Sequence, residues 1–203
     1  MELKKHIHRR ARGIINRAAV TTTFLHEFLK APFCVGSVCP SSGYLTSALV
    51  ASVPITGDGM IIDLGAGSGI VSENLLRAGV SPERILAVEL LPAFNETFSR
   101  RCPGIPFIVG DARNLGNILH QHAPGTKLCA VVSSLPFRVM PPGVVREILQ
   151  ELKNVMRDRH GTLIQYTYAL WMRYPLKRFG FSPCSSSVVL RNLPPARVEA
   201  YAI

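Results

Sequence analysis

Hydrophobic and polar positions change rhythm near residue 60. Upstream, Ala11, Ile14, Ile15, Ala18, Thr22, Leu25 and Leu29 recur at helical spacing, with Lys5, Arg9, Arg12 and Arg17 on the other sides. That pattern predicts a basic amphipathic helix within residues 1–32. From Met60 onward, short apolar runs alternate with amphipathic stretches. The runs at 60–64, 85–90, 107–109, 128–133 and 162–168 have the length and flanks of buried strands. A helix is predicted over 68–78, closed by Gly79, and another opens at Pro92. A third, over 141–156, carries Val144, Val145, Ile148, Leu152 and Val155 on one face. The stretches 186–190 and 197–201 read as a final antiparallel pair. Strands alternating with helices imply an α/β domain over 33–203, a Rossmann-like and mostly parallel sheet with an antiparallel last strand.

Composition narrows the setting. The chain has 203 residues, 47% hydrophobic and 18% charged, enough apolar side chain for a core and too little charge for disorder. The formal net charge of +10 favours a polyanionic partner, either nucleic acid or an anionic membrane. The basic helix fits two settings: packed on the domain with a solvated face, or lying on an anionic membrane. The five cysteines have no zinc spacing, which reads as reduced thiols in a cytosolic protein, and no metal site is expected. No run reaches the ~18 apolar residues of a spanning helix. The N-terminal segment makes a poor signal peptide. Trp171 to Phe181 mixes aromatic and cationic residues, suited to a membrane interface or to base stacking.

In open parallel sheets, ligands sit beyond the carboxyl ends of the strands. The first strand ends in Asp63-Leu-Gly65-Ala66-Gly67-Ser-Gly69 and runs into a helix. Glycines let the backbone approach a ligand, and the helix N-terminus offers free N–H groups. A dinucleotide fingerprint fails: its third glycine would fall on Ile70 or on Ser72. The acidic-x-Gly-x-Gly-x-Gly form resembles the first motif of Rossmann-like methyltransferases, which implies S-adenosylmethionine as cofactor. Glu89 ends the second strand, where an acid suits two ribose hydroxyls. Asp111 follows the third, where it can accept an adenine amino group.

Further segments extend the likeness. Pro40-Ser-Ser42, Ala87-Val-Glu89, Gly110-Asp111-Ala112, Ser133-Ser-Leu-Pro136, Gln165-Tyr-Thr-Tyr168 and Asn192-Leu-Pro-Pro-Ala-Arg197 resemble the bacterial phospholipid N-methyltransferases of the phosphatidylethanolamine type. The resemblance runs from about Phe28 to the C-terminus. It implies cofactor contacts from Ser42, Asp63, Gly65, Ala66, Gly67, Glu89, Leu90, Asp111, Ala112 and Ser133. It also implies stepwise methylation of a phospholipid head-group amine at the cytoplasmic face of the membrane, with the N-terminal helix docked on an anionic surface. Ser134 and Tyr168 are the expected catalytic residues. Tyr168 would orient or deprotonate the amine, and its ring could face the cationic product. The second reading is an adenine N6-methyltransferase acting on ribosomal RNA. Those enzymes resemble this chain around Pro136, but carry Asn where this sequence has Ser134, and a hydroxyl cannot reproduce the amide's geometry.

Overall fold

The computed structural model describes residues 43–167, 175–192 and 195–203. The predicted N-terminal helix, the boundary at residues 32/33, Pro40–Ser42, Tyr168 and Trp171 to Tyr174 lie outside them.

Twelve labelled helices and strands build the described part. α1 is Gly43–Ala51, β1 Met60–Leu64, α2 Ile70–Arg77, β2 Ile85–Glu89, α3 Asn95–Arg101 and β3 Phe107–Val109. α4 is Leu115–His122, β4 Leu128–Ser133, α5 Pro142–Arg159, β5 Thr162–Thr167, β6 Ser182–Val189 and β7 Ala196–Ala202. The seven strands form one sheet in the order β3-β2-β1-β4-β5-β7-β6. β1 to β5 pair in parallel, and β7 runs antiparallel to both β5 and β6. The order reverses between β1 and β4, and open α/β sheets bind ligands beyond the carboxyl ends of the strands at such a point.

The five parallel strands form where the apolar runs predict them, because a sheet covered on both faces needs unbroken apolar segments. On one face, Ile61, Ile85, Ala87, Ala130, Val132 and Ile164 pack into a core with Leu45 and Leu49 of α1, Leu75 of α2 and Phe98 of α3. The alternate residues Ile62, Leu64, Leu86 and Val131 are buried on the other face. α4 and α5 cover that side with Ile118, Leu119, Val145, Ile148, Leu149 and Leu152. The Arg84 guanidinium fastens the entry to β1 by donating to the Ile55 and Gly59 carbonyls at 3.0 and 3.1 Å.

The structure corrects several boundaries. α2 starts at Ile70 rather than Ser68, because Gly69 sits at φ 85° and its N–H closes a turn on the Ala66 carbonyl. Pro92 opens a single 3-10 turn before α3. α5 runs three residues past the predicted Met156, to Arg159, and ends where His160 and Gly161 adopt positive φ. β6 begins at Ser182, not Ser186; its exposed serines lack the apolar signal of a covered strand. α1 and α4 are additions. α1 is apolar with no clear face, and α4 is short, with its signal confined to Leu115, Ile118 and Leu119.

Truncating Leu152, fully buried on α5, removes contacts that the rigid sheet cannot replace. Leu152→Ala should cost about 2–5 kcal/mol of unfolding free energy by denaturant titration.

Candidate functional site

The glycine turn after β1 is held from three sides. The Gly65 and Ala66 N–H groups donate to the Val88 carbonyl at 2.8 and 3.3 Å, which locks the turn to β2. The Gly67 N–H donates to Glu89 Oε2 at 3.0 Å. Behind the turn, a Cβ on Gly69 would lie 2.9 Å from the Phe98 ring and 3.0 Å from Cys102 Sγ, so no side chain fits there. Gly67 differs: it has φ 51°, and a Cβ there would meet nothing within 4 Å. The turn is therefore packed against α3 on one side and open on the other, where a ligand can approach the backbone.

Two carboxylates flank this opening. Asp63 is fully buried; its Oδ2 accepts from the Ser72 N–H at 3.1 Å and the Ser72 hydroxyl at 2.6 Å. Its Oδ1 is buried without a hydrogen-bond partner among the described residues. Burial pushes the Asp63 carboxyl up to about 6 against the pull of the two Ser72 bonds, and Glu89 adds to the rise. Glu89 is 5% exposed. Its Oε1 accepts from the Leu91 N–H at 2.9 Å, so one side chain joins the glycine turn to the chain leaving β2. Burial raises its carboxyl too, while the Leu91, Gly67 and Leu90 N–H groups oppose the rise.

The third strand end is fastened to the second, since the Gly110 N–H donates to the Glu89 carbonyl at 2.8 Å. Asp111 caps the next turn through the Arg113 N–H and also meets the Arg113 side chain, with Nη2 2.6 Å from Oδ2. Arg113 in turn reaches Glu147 of α5 at 3.2 Å. At the end of β4, Ser133 is fully buried, and the Ser134 N–H donates to the Leu64 carbonyl at 2.9 Å. Ser134 itself is half-buried.

Asp63, Gly65, Ala66, Gly67, Glu89, Leu90, Asp111, Ala112, Ser133 and Ser134 thus all lie at the carboxyl ends of β1 to β4. Ser42 and Tyr168 are outside the described residues. Three supporting residues escaped sequence reasoning. Ser72 could have been found from its place in the first turn of the helix after the glycines. Arg113 had a signal in its spacing from Asp111. Leu135, which packs on Gly65, had none.

These features fit S-adenosylmethionine. The open face of Gly67 leaves room at the backbone, and the orphaned Asp63 Oδ1 offers an acceptor to a cationic ligand. Fold and site together define a Rossmann-like methyltransferase. Residues 61–159 match the family described as a methyltransferase domain. Over 178 residues the chain is 30% identical to the ornithine lipid N-methyltransferase of Singulisphaera acidiphila, covering 85% of this chain and 91% of that protein. The chain belongs to this family of S-adenosylmethionine-dependent methyltransferases.

Solved structures share the fold. A TehB-like methyltransferase from Corynebacterium glutamicum has a TM-score of 0.54 at 14% identity, covering 91% of this chain and 98% of that one. The 1,6-didemethyltoxoflavin N1-methyltransferase of Burkholderia thailandensis, solved with S-adenosylhomocysteine bound, has a TM-score of 0.63 at 14% identity, covering 92% and 88%. Among the described residues, no group of His, Cys, Asp and Glu could hold a metal ion. Among those residues, too, no helix is long and apolar enough to cross a membrane.

The raised Asp63 carboxyl makes a signed prediction. Because the folded chain holds this proton more tightly than the unfolded chain, stability contributed by Asp63 is full below about 4 and declines as pH rises through about 6. Asp63→Asn should flatten part of that slope in cofactor-free thermal unfolding. Binding of the cationic cofactor near pH 6 should release protons, measured by calorimetry in buffers of different ionisation enthalpy. The release should shrink in Asp63→Asn.

Proposed function

We propose that this enzyme methylates the head-group amine of a membrane lipid, with ornithine lipid and phosphatidylethanolamine as the two candidate acceptors. The likeness to an ornithine lipid N-methyltransferase over nearly its whole length carries the reading. When bound, the cofactor supplies a methyl group on a sulfonium, electrophilic enough for direct displacement by an amine. The protein's part is to place the amine in line, exclude water and leave the nitrogen lone pair free.

The assignments follow from the strand ends. Gly65, Ala66 and Gly67 bring backbone to the cofactor, and Asp63 faces its cationic end. Glu89, with Leu90 beside it, takes the ribose hydroxyls through lone pairs left over from its two N–H bonds. Asp111 and Ala112 border the adenine, with Arg113 sharing the Asp111 carboxylate. Ser42 and Ser133 complete the cofactor contacts. Ser134 accepts an N–H of the acceptor, and Tyr168 orients or deprotonates the amine. Residues 1–32 form an amphipathic segment that docks the domain of residues 33–203 on the anionic inner face of the membrane.

The test offers the full-length chain vesicles containing phosphatidylethanolamine or ornithine lipid in an anionic background, and in parallel naked RNA. Lipid mass spectrometry should show methylated head groups, and rate should fall as salt screens the surface. Methylated RNA with unmodified lipid would instead support the adenine N6 reading. Tyr168→Phe should slow methyl transfer about 10-fold or more while leaving cofactor affinity unchanged. Unaltered turnover would remove its catalytic role.

A further inference from the structure

Gln165 is the fourth residue of β5, in the cross-sheet row that contains Ser133 of β4 and Glu199 of β7. It is 8% exposed. Its Nε2 donates to the Leu135 carbonyl at 3.0 Å and to the Tyr166 carbonyl at 3.1 Å. Both partners are acceptors only, so the carboxamide has one orientation: an oxygen in that place would face two oxygens. The Gln165 Oε1 is thereby turned away, buried, with no partner among the described residues. A buried unpaired acceptor is a standing cost to the fold, and such groups in native structures call for an explanation.

The explanation lies in what the other end of the amide holds. Leu135 is fixed at three points. Its carbonyl accepts from Gln165, its N–H reaches the Ser133 hydroxyl at 3.4 Å, and its side chain seats on the cofactor turn. A Cβ on Gly65 would lie 2.9 Å from Leu135 Cδ2. The preceding residue, Ser134, is tied by its own N–H to the Leu64 carbonyl. One side chain from β5 therefore sets the height of the Ser134–Leu135 turn over the glycine turn.

We propose that Gln165 is a positioning residue for methyl transfer. Its N–H bond to the Leu135 carbonyl holds the Ser134 hydroxyl, and the amine bound there, at the distance and angle from the glycine turn that in-line displacement needs. This rests on the reading of Ser134 as an acceptor contact. Errors of about 1 Å in such placement can cost roughly 100-fold in rate.

The test uses the full-length chain and three variants. Gln165→Met keeps the bulk and removes the donor. Gln165→Glu keeps the shape but sets an acceptor against two carbonyls when ionised. Gln165→His restores a ring N–H at similar reach. With lipid vesicles, kcat should fall about 10- to 100-fold in the Met and Glu variants and recover substantially in the His variant, with cofactor affinity by calorimetry within about threefold of wild type throughout. A packing role alone would favour Met over His, and that order would overturn the assignment, as would loss of cofactor affinity in step with kcat. If the Met variant does not fold, Glu against His makes the same comparison. Hydrogen exchange, which needs no acceptor, provides a separate reading: peptides spanning 134–139 should exchange several-fold faster in Gln165→Met while 85–89 stays protected. Unchanged exchange at 134–139 overturns the proposal. A wild-type chain that methylates no lipid amine overturns the function reading alone, because the exchange result still decides on Gln165.

Discussion

The Glu89 carboxylate accepts one N–H from Gly67 and another from Leu91, at a place where water is almost excluded. This arrangement orders the cofactor end of the sheet. Without it, the turn after β1 would keep only the Val88 carbonyl as its anchor on β2. The Glu89 main chain then passes the constraint on, because its carbonyl accepts from Gly110 and so sets where Asp111 begins. Three strand ends are held in one arrangement by a single residue, and the cost is a desolvated carboxylate.

A second buried acid intensifies that cost. Asp63 and Glu89 lie on one face of adjacent strands, and the Glu89 charge disfavours ionisation of Asp63. Ser72 offsets part of the strain from within the first turn of α2, yet among the described residues Asp63 Oδ1 has no partner. Such an arrangement is poor for stability and suited to a cation, which supplies the missing charge only when it is bound. S-adenosylmethionine carries its positive charge on the sulfonium and the amino group. In the proposed pairing with Asp63, that charge would offset a cost the fold otherwise bears alone.

The proposed acceptor side is built differently. It has a hydroxyl and an amide where the cofactor side has carboxylates: Ser134 and Gln165, the latter held on the Leu135 carbonyl. Among the described residues, these two side chains offer no charge that would hold an amine as a protonated salt-bridged ion. That suits a nucleophile that must offer its lone pair. Leu135 joins the two halves, since its backbone belongs to the acceptor turn and its side chain to the cofactor turn. Methyl transfer needs two sites held in fixed relation, and this contact would run between the two that are proposed.

The sequence by itself determined the parallel strands and the chemistry at their ends. A strand buried on both faces must be continuously apolar, so the runs at 60–64, 85–90 and 128–133 were legible one by one. Asp63, Glu89 and Asp111 stood out because acids interrupt apolar runs at the point where ligands bind. The edge of the sheet was less legible: β6 is exposed, so its start at Ser182 left no hydrophobic trace. Only the tertiary structure decided that β7 lies between β5 and β6, that Ser72 reaches back to Asp63, and that Gln165 holds Leu135 thirty residues away. Those relations depend on which side chains meet across the sheet, and a one-dimensional pattern records each residue's own burial preference without its partner.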